Sequence, residues 1–320
     1  MRFHAAFGPM RSLVTRRLPS HTRLLSKAAS EMSKSAPELS GLQRHAFAGA
    51  VGLAAGTTVG LVGWGGAQFI IPGMTHPLMA HSQLAATGIS LCSLSVGTMA
   101  SSVKFLSANS SDILTAATMA IPAMASARLG ARLASRMRDD VLQLCFNGAS
   151  VLLIPTHFFV QQRRKLLDDQ KTPQQRSSRE DGDQLAVREV AVVLQHIGFG
   201  CISGLLSAIM GVGGLPITMS YLTLYTSLPH HHVQGTAVLS VAPSAVISAA
   251  SRWDVIPPAT AAIVTAGAMT GATIGASIAL RTSEERLRDL YMLSLVLLGG
   301  RSVVAASRNL VSIWRRRAGG

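Results

Sequence analysis

Acidic residues are scarce in this chain of 320 residues, 15 against 29 Lys and Arg, and two long stretches carry no formal charge at all. One covers 59 residues between Arg44 and Lys104, the other 62 residues between Glu189 and Arg252. With 14% charged and 48% hydrophobic residues, the chain is too charge-poor to clothe an ordinary soluble domain. Cysteine occurs only as Cys92, Cys145 and Cys201, each in an apolar run and none in a CxxC spacing. That excludes a disulfide framework and gives no metal site. Neither do the adjacent histidines His230, His231 and His232, which follow Pro229 at a turn without a fourth ligand. HExxH, GxSxG, a P-loop and paired intramembrane aspartates are missing, so neither an enzyme nor a bound cofactor is expected.

The net charge of +14 does not signal nucleic acid. Lys and Arg sit in the N-terminal arm, the connecting loops and the Trp314-Arg315-Arg316-Arg317 cluster, and no soluble domain remains to carry such binding. Residues 1–30 contain Arg2, Arg11, Arg16, Arg17, Arg23 and Lys27 with no acid before Glu31, the composition of an organelle transit peptide. Pro9, Pro19 and the scattered arginines leave no continuous apolar core for a secretory signal. The mitochondrial inner membrane is the first expectation and a plastid membrane the second; a basic tail resting on a membrane surface is the other reading of the arm.

A crossing takes about 20 residues, so each charge-free stretch holds two crossings and roughly 20 residues more. The surplus falls at Gly63 to Pro77 and at Gly211 to Pro229, where a broken or re-entrant half-helix fits. Adding the other apolar runs, helices are expected near 46–71, 80–103, 112–134, 141–160, 190–210, 233–251, 257–280 and 287–307. The fold expected is an all-α polytopic membrane protein with eight spans in two homologous halves of four. Its parts are a basic transit-like arm at 1–40, a first repeat at 41–160, a polar charged linker at 161–188, a second repeat at 189–310 and a basic tail at 311–320. Eight simple crossings would set the N-terminus, the linker and the C-terminal arginines on one face. If each glycine segment instead crosses as a full hairpin, each half makes an odd number of passes and the repeats become inverted. The sequence admits both.

The strongest internal signal is a glycine constellation that occurs twice, 148 residues apart: Gly52, Gly56, Gly63, Gly65 and Gly66, then Gly200, Gly204, Gly211, Gly213 and Gly214. Adjacent glycines cannot form one face of a helix, so Gly65-Gly66 and Gly213-Gly214 mark backbone breaks rather than packing faces. The pairs Gly52/Gly56, Gly56/Gly60 and Gly271/Gly275 have small-xxx-small spacing and are expected to pack helices. A helix interrupted within a membrane exposes free N–H groups at the start of its second part, an anion site that needs no Lys or Arg. Gly63, Gly65, Gly66, Gly211, Gly213 and Gly214 are the candidate backbone of such a site. Gln68, Thr218 and Ser220 within the motifs, with Gln83, Thr87, Thr236 and Ser240 on the following helices, are the candidate side chains. The alternative for the hydroxyls is a bond to their own backbone or a neighbouring helix.

These residues resemble the TauE/SafE family of sulfite-exporter-like permeases. The family's Gly-rich element followed by apolar residues and proline is matched by Gly63-Trp64-Gly65-Gly66-Ala67-Gln68-Phe69-Ile70-Ile71-Pro72 and by Gly211-Val212-Gly213-Gly214-Leu215-Pro216-Ile217. A Pro-His turn followed by Gly-Thr is matched by Pro229-His230 with Gly235-Thr236, and more loosely by His81 with Ala86-Thr87. The third consecutive glycine is replaced by Ala67 and Leu215, and the first half carries an unusual Trp64. The resemblance implies transport of a small anion, notably sulfite, a sulfonate or a related sulfur compound. A partner ion follows less directly: no expected span holds a carboxylate away from its ends. His196 is the titratable candidate for coupling to a proton, with a hydrogen-bonded packing histidine as the other reading of that residue; a sodium ion, an anion carrying its own proton, or passive movement are the alternatives. The bilayer and a second copy of the chain complete the expected partners. A different class of function, a membrane protein that anchors or assembles a complex through its charged linker and basic tail, also fits the composition.

Overall fold

Ser40 caps the first helix among the described residues: its hydroxyl accepts the Gln43 amide at 3.4 Å while the Gln43 side chain accepts the Ser40 amide at 3.0 Å. This reciprocal cap starts α1, Gly41–Val62. There follow α2 (Ala67–Thr75), α3 (Gln83–Ser107), α4 (Ile113–Ala134), α5 (Gly182–Met210), α6 (Leu215–Tyr225), α7 (His230–Ala250), a single 3-10 turn at Trp253–Val255, and α8 (Pro258–Arg281). This computed structural model describes residues 40–148 and 182–300, apart from 227, 295, 298 and 299. Residues 139–148 and 284–294 are also helical. The rest of the expected spans at 141–160 and 287–307, the arm before residue 40, most of the linker and the basic tail lie outside the described residues. No strand occurs among those described. The helix expected at 46–71 is two helices, broken over residues 63–66, and α5 starts at Gly182 rather than near residue 190. Gln, Arg and Glu in that early stretch are good helix formers and extend it past the apolar run.

Six helices are long and apolar enough to cross a membrane: α1, α3, α4, α7, α8 and the Val190–Met210 part of α5. In α3 and α7 72% of the spanning window is buried, against 33–39% in the other four, so α3 and α7 form the centre and the rest a ring. The outer face of the ring carries exposed Leu53, Ile121, Leu129 and Ile274, a surface that water would not tolerate and acyl chains would.

Close glycine contacts fix helix direction. A Cβ on Gly52, Gly56 or Gly60 would overlap the carbonyl of Val264, Ala268 or Ala272 in turn, so α1 and α8 run parallel with backbones in contact. Gly200 and Gly204 meet Met119 and Ala123 in the same way, so α4 and α5 are parallel too. Ser101 donates to the Ala272 carbonyl at 3.4 Å and Gly97 faces Ala268 at 3.6 Å, which aligns α3 with α1 and α8. The start of α7 rests on the turn after α3, where Thr236 Oγ1 accepts the Asp112 amide at 2.9 Å. Beyond its end, Arg252 reaches Thr87 near the start of α3 at 2.9 Å. Thus α1, α3 and α8 run one way and α4, α5 and α7 the other.

Each glycine segment turns the chain into a hairpin. Gly66 lies against Ala55, and a Cβ on Gly73 would be 3.1 Å from Val51, so α2 returns along α1. Gly214 lies against Ser203, and the Tyr221 ring stacks on Phe199 at 4.2 Å, so α6 returns along α5. The pairs 55/66 and 203/214, and 51/73 and 199/221, are each displaced by 148 residues. Gly41 and Gly182 consequently sit at opposite ends of the bundle, which differs from the shared face that eight simple crossings would give. The reason is the return stroke of α2, which adds a pass that hydropathy alone merges with α1.

Asp112 caps α4 by accepting the amides of Leu114 and Thr115 at 3.0 and 3.2 Å and the Thr115 hydroxyl at 2.7 Å. Burial raises its pKa, but the Thr115 hydroxyl and the two amides, with His196 adding its charge, outweigh burial and hold the carboxyl below the usual range. Replacing Asp112 by Ala should cost about 1 kcal/mol at pH 7. A depressed folded-state pKa stabilises above the unfolded value of about 3.9 and loses that contribution as pH falls through the folded value. Thermal unfolding of wild type and D112A in detergent should therefore differ at pH 7, and the difference should shrink as pH falls below the unfolded value and through the lower folded one.

Candidate functional site

The helix ends explain how the breaks are held. α1 stops at Gly63, whose φ of 69° is left-handed and whose amide bonds the Val59 carbonyl at 3.1 Å. α5 stops at Gly211, with φ 74° and its amide on the Ser207 carbonyl at 2.8 Å. Glycine takes this conformation without the Cβ penalty and so ends both helices. The next carbonyls, of Gly60 and Ala208, lose the amides of Trp64 and Val212 that a continuous helix would have supplied. Side chains from elsewhere replace them: Gln234 Nε2 donates to the Gly60 carbonyl at 2.8 Å, and Arg252 Nη2 donates to the Ala208 carbonyl.

Past these ends the two segments meet. A Cβ on Gly65 would overlap the Val212 carbonyl oxygen, so the two breaks touch backbone to backbone at the centre of the bundle. A Cβ on Gly63 would stand 3.2 Å from the Gln234 side chain, one on Gly211 2.8 Å from Thr87 Cβ, and one on Gly213 2.9 Å from a Leu94 methyl. The amides of Gly65 to Ala67 and of Val212 to Leu215 donate to no described backbone carbonyl. They are the free N-terminal donors of α2 and α6, and the helix dipoles add positive potential at the same place. Pro216 sits in the first turn of α6, where its missing N–H costs nothing. Ser90 donates to the Gly211 carbonyl at 2.8 Å and Ser203 to the Gly214 carbonyl at 3.2 Å, fixing the second segment from two helices.

The candidate side chains have diverse partners. Thr87 donates to its own Leu84 carbonyl at 2.8 Å and accepts from Arg252, which sets it beside Gly211. Gln68 is buried in the first turn of α2. Gln83 is buried with its Nε2 unpartnered among the described residues. Thr218 pairs with the Ser203 hydroxyl at 3.0 Å. Thr236 holds the Asp112 amide, Ser240 donates to Ala237 at 2.9 Å and Ser220 to Pro216 at 2.7 Å. His196 contacts the Thr118 hydroxyl at 3.3 Å and meets the Tyr221 ring edge-on at 5.6 Å. Trp64 is buried against the Tyr291 ring, 5.9 Å away.

Sequence reading missed Gln234 and Arg252. Arg252 is the first formal charge after 62 uncharged residues and reads as the marker that a span has ended. It is 3% exposed. Burial pushes its pKa down to about 10, which leaves it a cation at neutral pH. The signal that could have found it is its company, an arginine between a small-residue helix and the Pro257-Pro258 pair, with no acid nearer than Asp254.

Over residues 48–302 the chain matches the family described as Sulfite exporter TauE/SafE. The chain belongs to this family. Members are membrane transporters of sulfur anions and not enzymes, and six apolar helices agree with an integral, multi-pass protein. The matched region of this TauE/SafE protein contains both hairpins, both glycine segments, Gln234 and Arg252. No curated protein and no solved structure matches the chain.

Proposed function

We propose that this TauE/SafE protein is a secondary transporter that moves sulfite, a sulfonate or a related small sulfur anion across an organelle membrane. The observation that carries the reading is the meeting of the two glycine segments, with the free amides of two helix N-termini gathered in buried surroundings. Donors fixed in that way bind an oxyanion with little reorganisation. The segments touch backbone to backbone, the Cβ position of Gly65 overlapping the Val212 carbonyl oxygen. Passage then requires the hairpins to part, first on one side and then on the other, as in alternating access.

In this reading residues 41–160 and 189–310 are inverted repeats, α2 and α6 are re-entrant helices, and the stretches at 141–160 and 287–307 complete eight spans. The register of 148 residues between the two hairpins and the three-and-three helix directions support it. The basic, acid-free arm supports delivery to the mitochondrial inner membrane, with a plastid membrane second. Gly63, Gly65, Gly66, Gly211, Gly213 and Gly214 line the anion's path together with Gln68, Gln83 and Thr87, while Thr218, Thr236 and Ser240 hold the walls. His196, against Thr118 and Tyr221, is the candidate for proton coupling, and a homo-oligomer is the assembly to look for.

The test is flux of labelled sulfite, sulfate, thiosulfate, a taurine-type sulfonate and short carboxylates in liposomes holding the purified protein, under imposed pH or sodium gradients. Saturable flux of a sulfur anion is expected. Folded protein that moves none of them would favour the anchoring role.

A further inference from the structure

The transporter reading leaves one group unexplained, a desolvated arginine with no anion to balance it. Among the described residues the only ion pair is Arg138 with Asp140 at 3.5 Å, on the surface. Arg252 is paired with no carboxylate among the described residues. Each terminal nitrogen uses one of its two N–H groups, on Thr87 Oγ1 and on the Ala208 carbonyl, and its buried Nε has no partner among the described residues. Removing a charge from water costs several kcal/mol even after relaxation, and neutral hydrogen bonds recover only part of that. A helix end could be capped without a charge, as Gln234 shows at the equivalent carbonyl of Gly60. The residue 148 positions before Arg252 is Lys104, which is exposed. The buried cation is therefore present at one glycine segment only, and its head lies between the last turn of α5 and the Thr87 that packs on Gly211.

We infer that Arg252 is the counter-charge of the transported anion. Resting on the transporter reading, this makes Arg252 a specificity-determining residue that selects a small oxyanion over neutral solutes of the same size. The anion reaches the amides of Val212 to Leu215 by meeting the guanidinium, whose fork of donors suits an oxyanion. Gln234 holds the other segment without charge, so the two ends of the path differ in their attraction for the anion.

The experiment compares the full chain with R252Q, R252M, R252K and the surface control K104Q. Two quantities are read for each, the KM for sulfite flux in liposomes and the rise in Tm that sulfite or sulfate causes in detergent. R252Q should raise KM by at least about 10-fold, the loss expected for a charge-assisted contact, and abolish the anion-dependent rise in Tm. R252K, which keeps the charge, should restore most of both, and K104Q should match wild type. R252M removes the buried charge in a side chain of similar reach and serves if R252Q does not fold. An unchanged KM in R252Q or R252M, or a lowered kcat with the anion-dependent Tm rise retained, would assign Arg252 a packing role alone and overturn the inference while the transporter reading stood. Wild-type protein that shows neither flux nor an anion-dependent Tm rise would overturn both.

Discussion

Replacing Gly65 or Gly213 by Leu should lower anion flux by about 100-fold or more, the loss that a displacement of about 1 Å brings in a preorganised site. At Gly65 the first added carbon already overlaps the Val212 carbonyl. That atom belongs to the backbone of the opposing segment, so the two segments must move apart. At Gly213 the φ of 80° strains any L-residue and the added carbon falls 2.9 Å from Leu94. Either substitution displaces the free amides, and the one at Gly213 also presses on the Leu94 side chain of α3. The check is flux per folded molecule, with folding judged by helical circular dichroism and a monodisperse elution profile. Full flux in folded G65L would mean that the contact between the segments is unrelated to transport.

The second large effect concerns stability and separates two kinds of glycine. Gly56→Ala should destabilise the protein by about 2 kcal/mol or more, because its Cβ would overlap the Ala268 carbonyl and lie 2.7 Å from the carbonyl carbon and the Cα. Backbone cannot rotate away as a side chain can, so α1 and α8 must separate along a seam that Gly267, Gly271 and Gly275 line from the other side. Gly198→Ala is the opposite case. Nothing lies within 4 Å of its Cβ position, and in the interior of α5 alanine should add up to about 1 kcal/mol through helix propensity. Thermal unfolding of both variants measures the difference; equal Tm values would mean that the seam tolerates a methyl group.

Much of the helical layout was legible because charge is so scarce. Runs without Asp, Glu, Lys or Arg locate α1, α3, α5 and α7, and the doubled glycines locate both breaks. The return stroke of α2 was one of two readings the sequence admits, and the choice was not legible, because its residues are as apolar as those of α1 and hydropathy records no direction. The direction became visible only from contacts such as Gly73 on Val51 and Tyr221 on Phe199. The glycine residues of the candidate site were readable from spacing. Its polar side chains were not, since a hydroxyl in an apolar helix reads the same whether it bonds its own turn, as Ser240 does, or a glycine segment, as Ser90 does. Arg252 was hidden for a related reason: a charge at the edge of an apolar run ordinarily marks the membrane surface, and only packing around Thr87 and Ala208 reveals it to be buried.

The central claim is that an oxyanion binds where the two glycine segments meet. Its most direct test is a crystal structure of the protein soaked with selenite, a heavier analogue of sulfite, read from the anomalous selenium signal. The account predicts a peak between the starts of α2 and α6, with its oxygens about 3 Å from amides among Gly65 to Ala67 and Val212 to Leu215. Selenium found only at exposed cations such as Arg128 or Arg132, with the two segments bare, would contradict it.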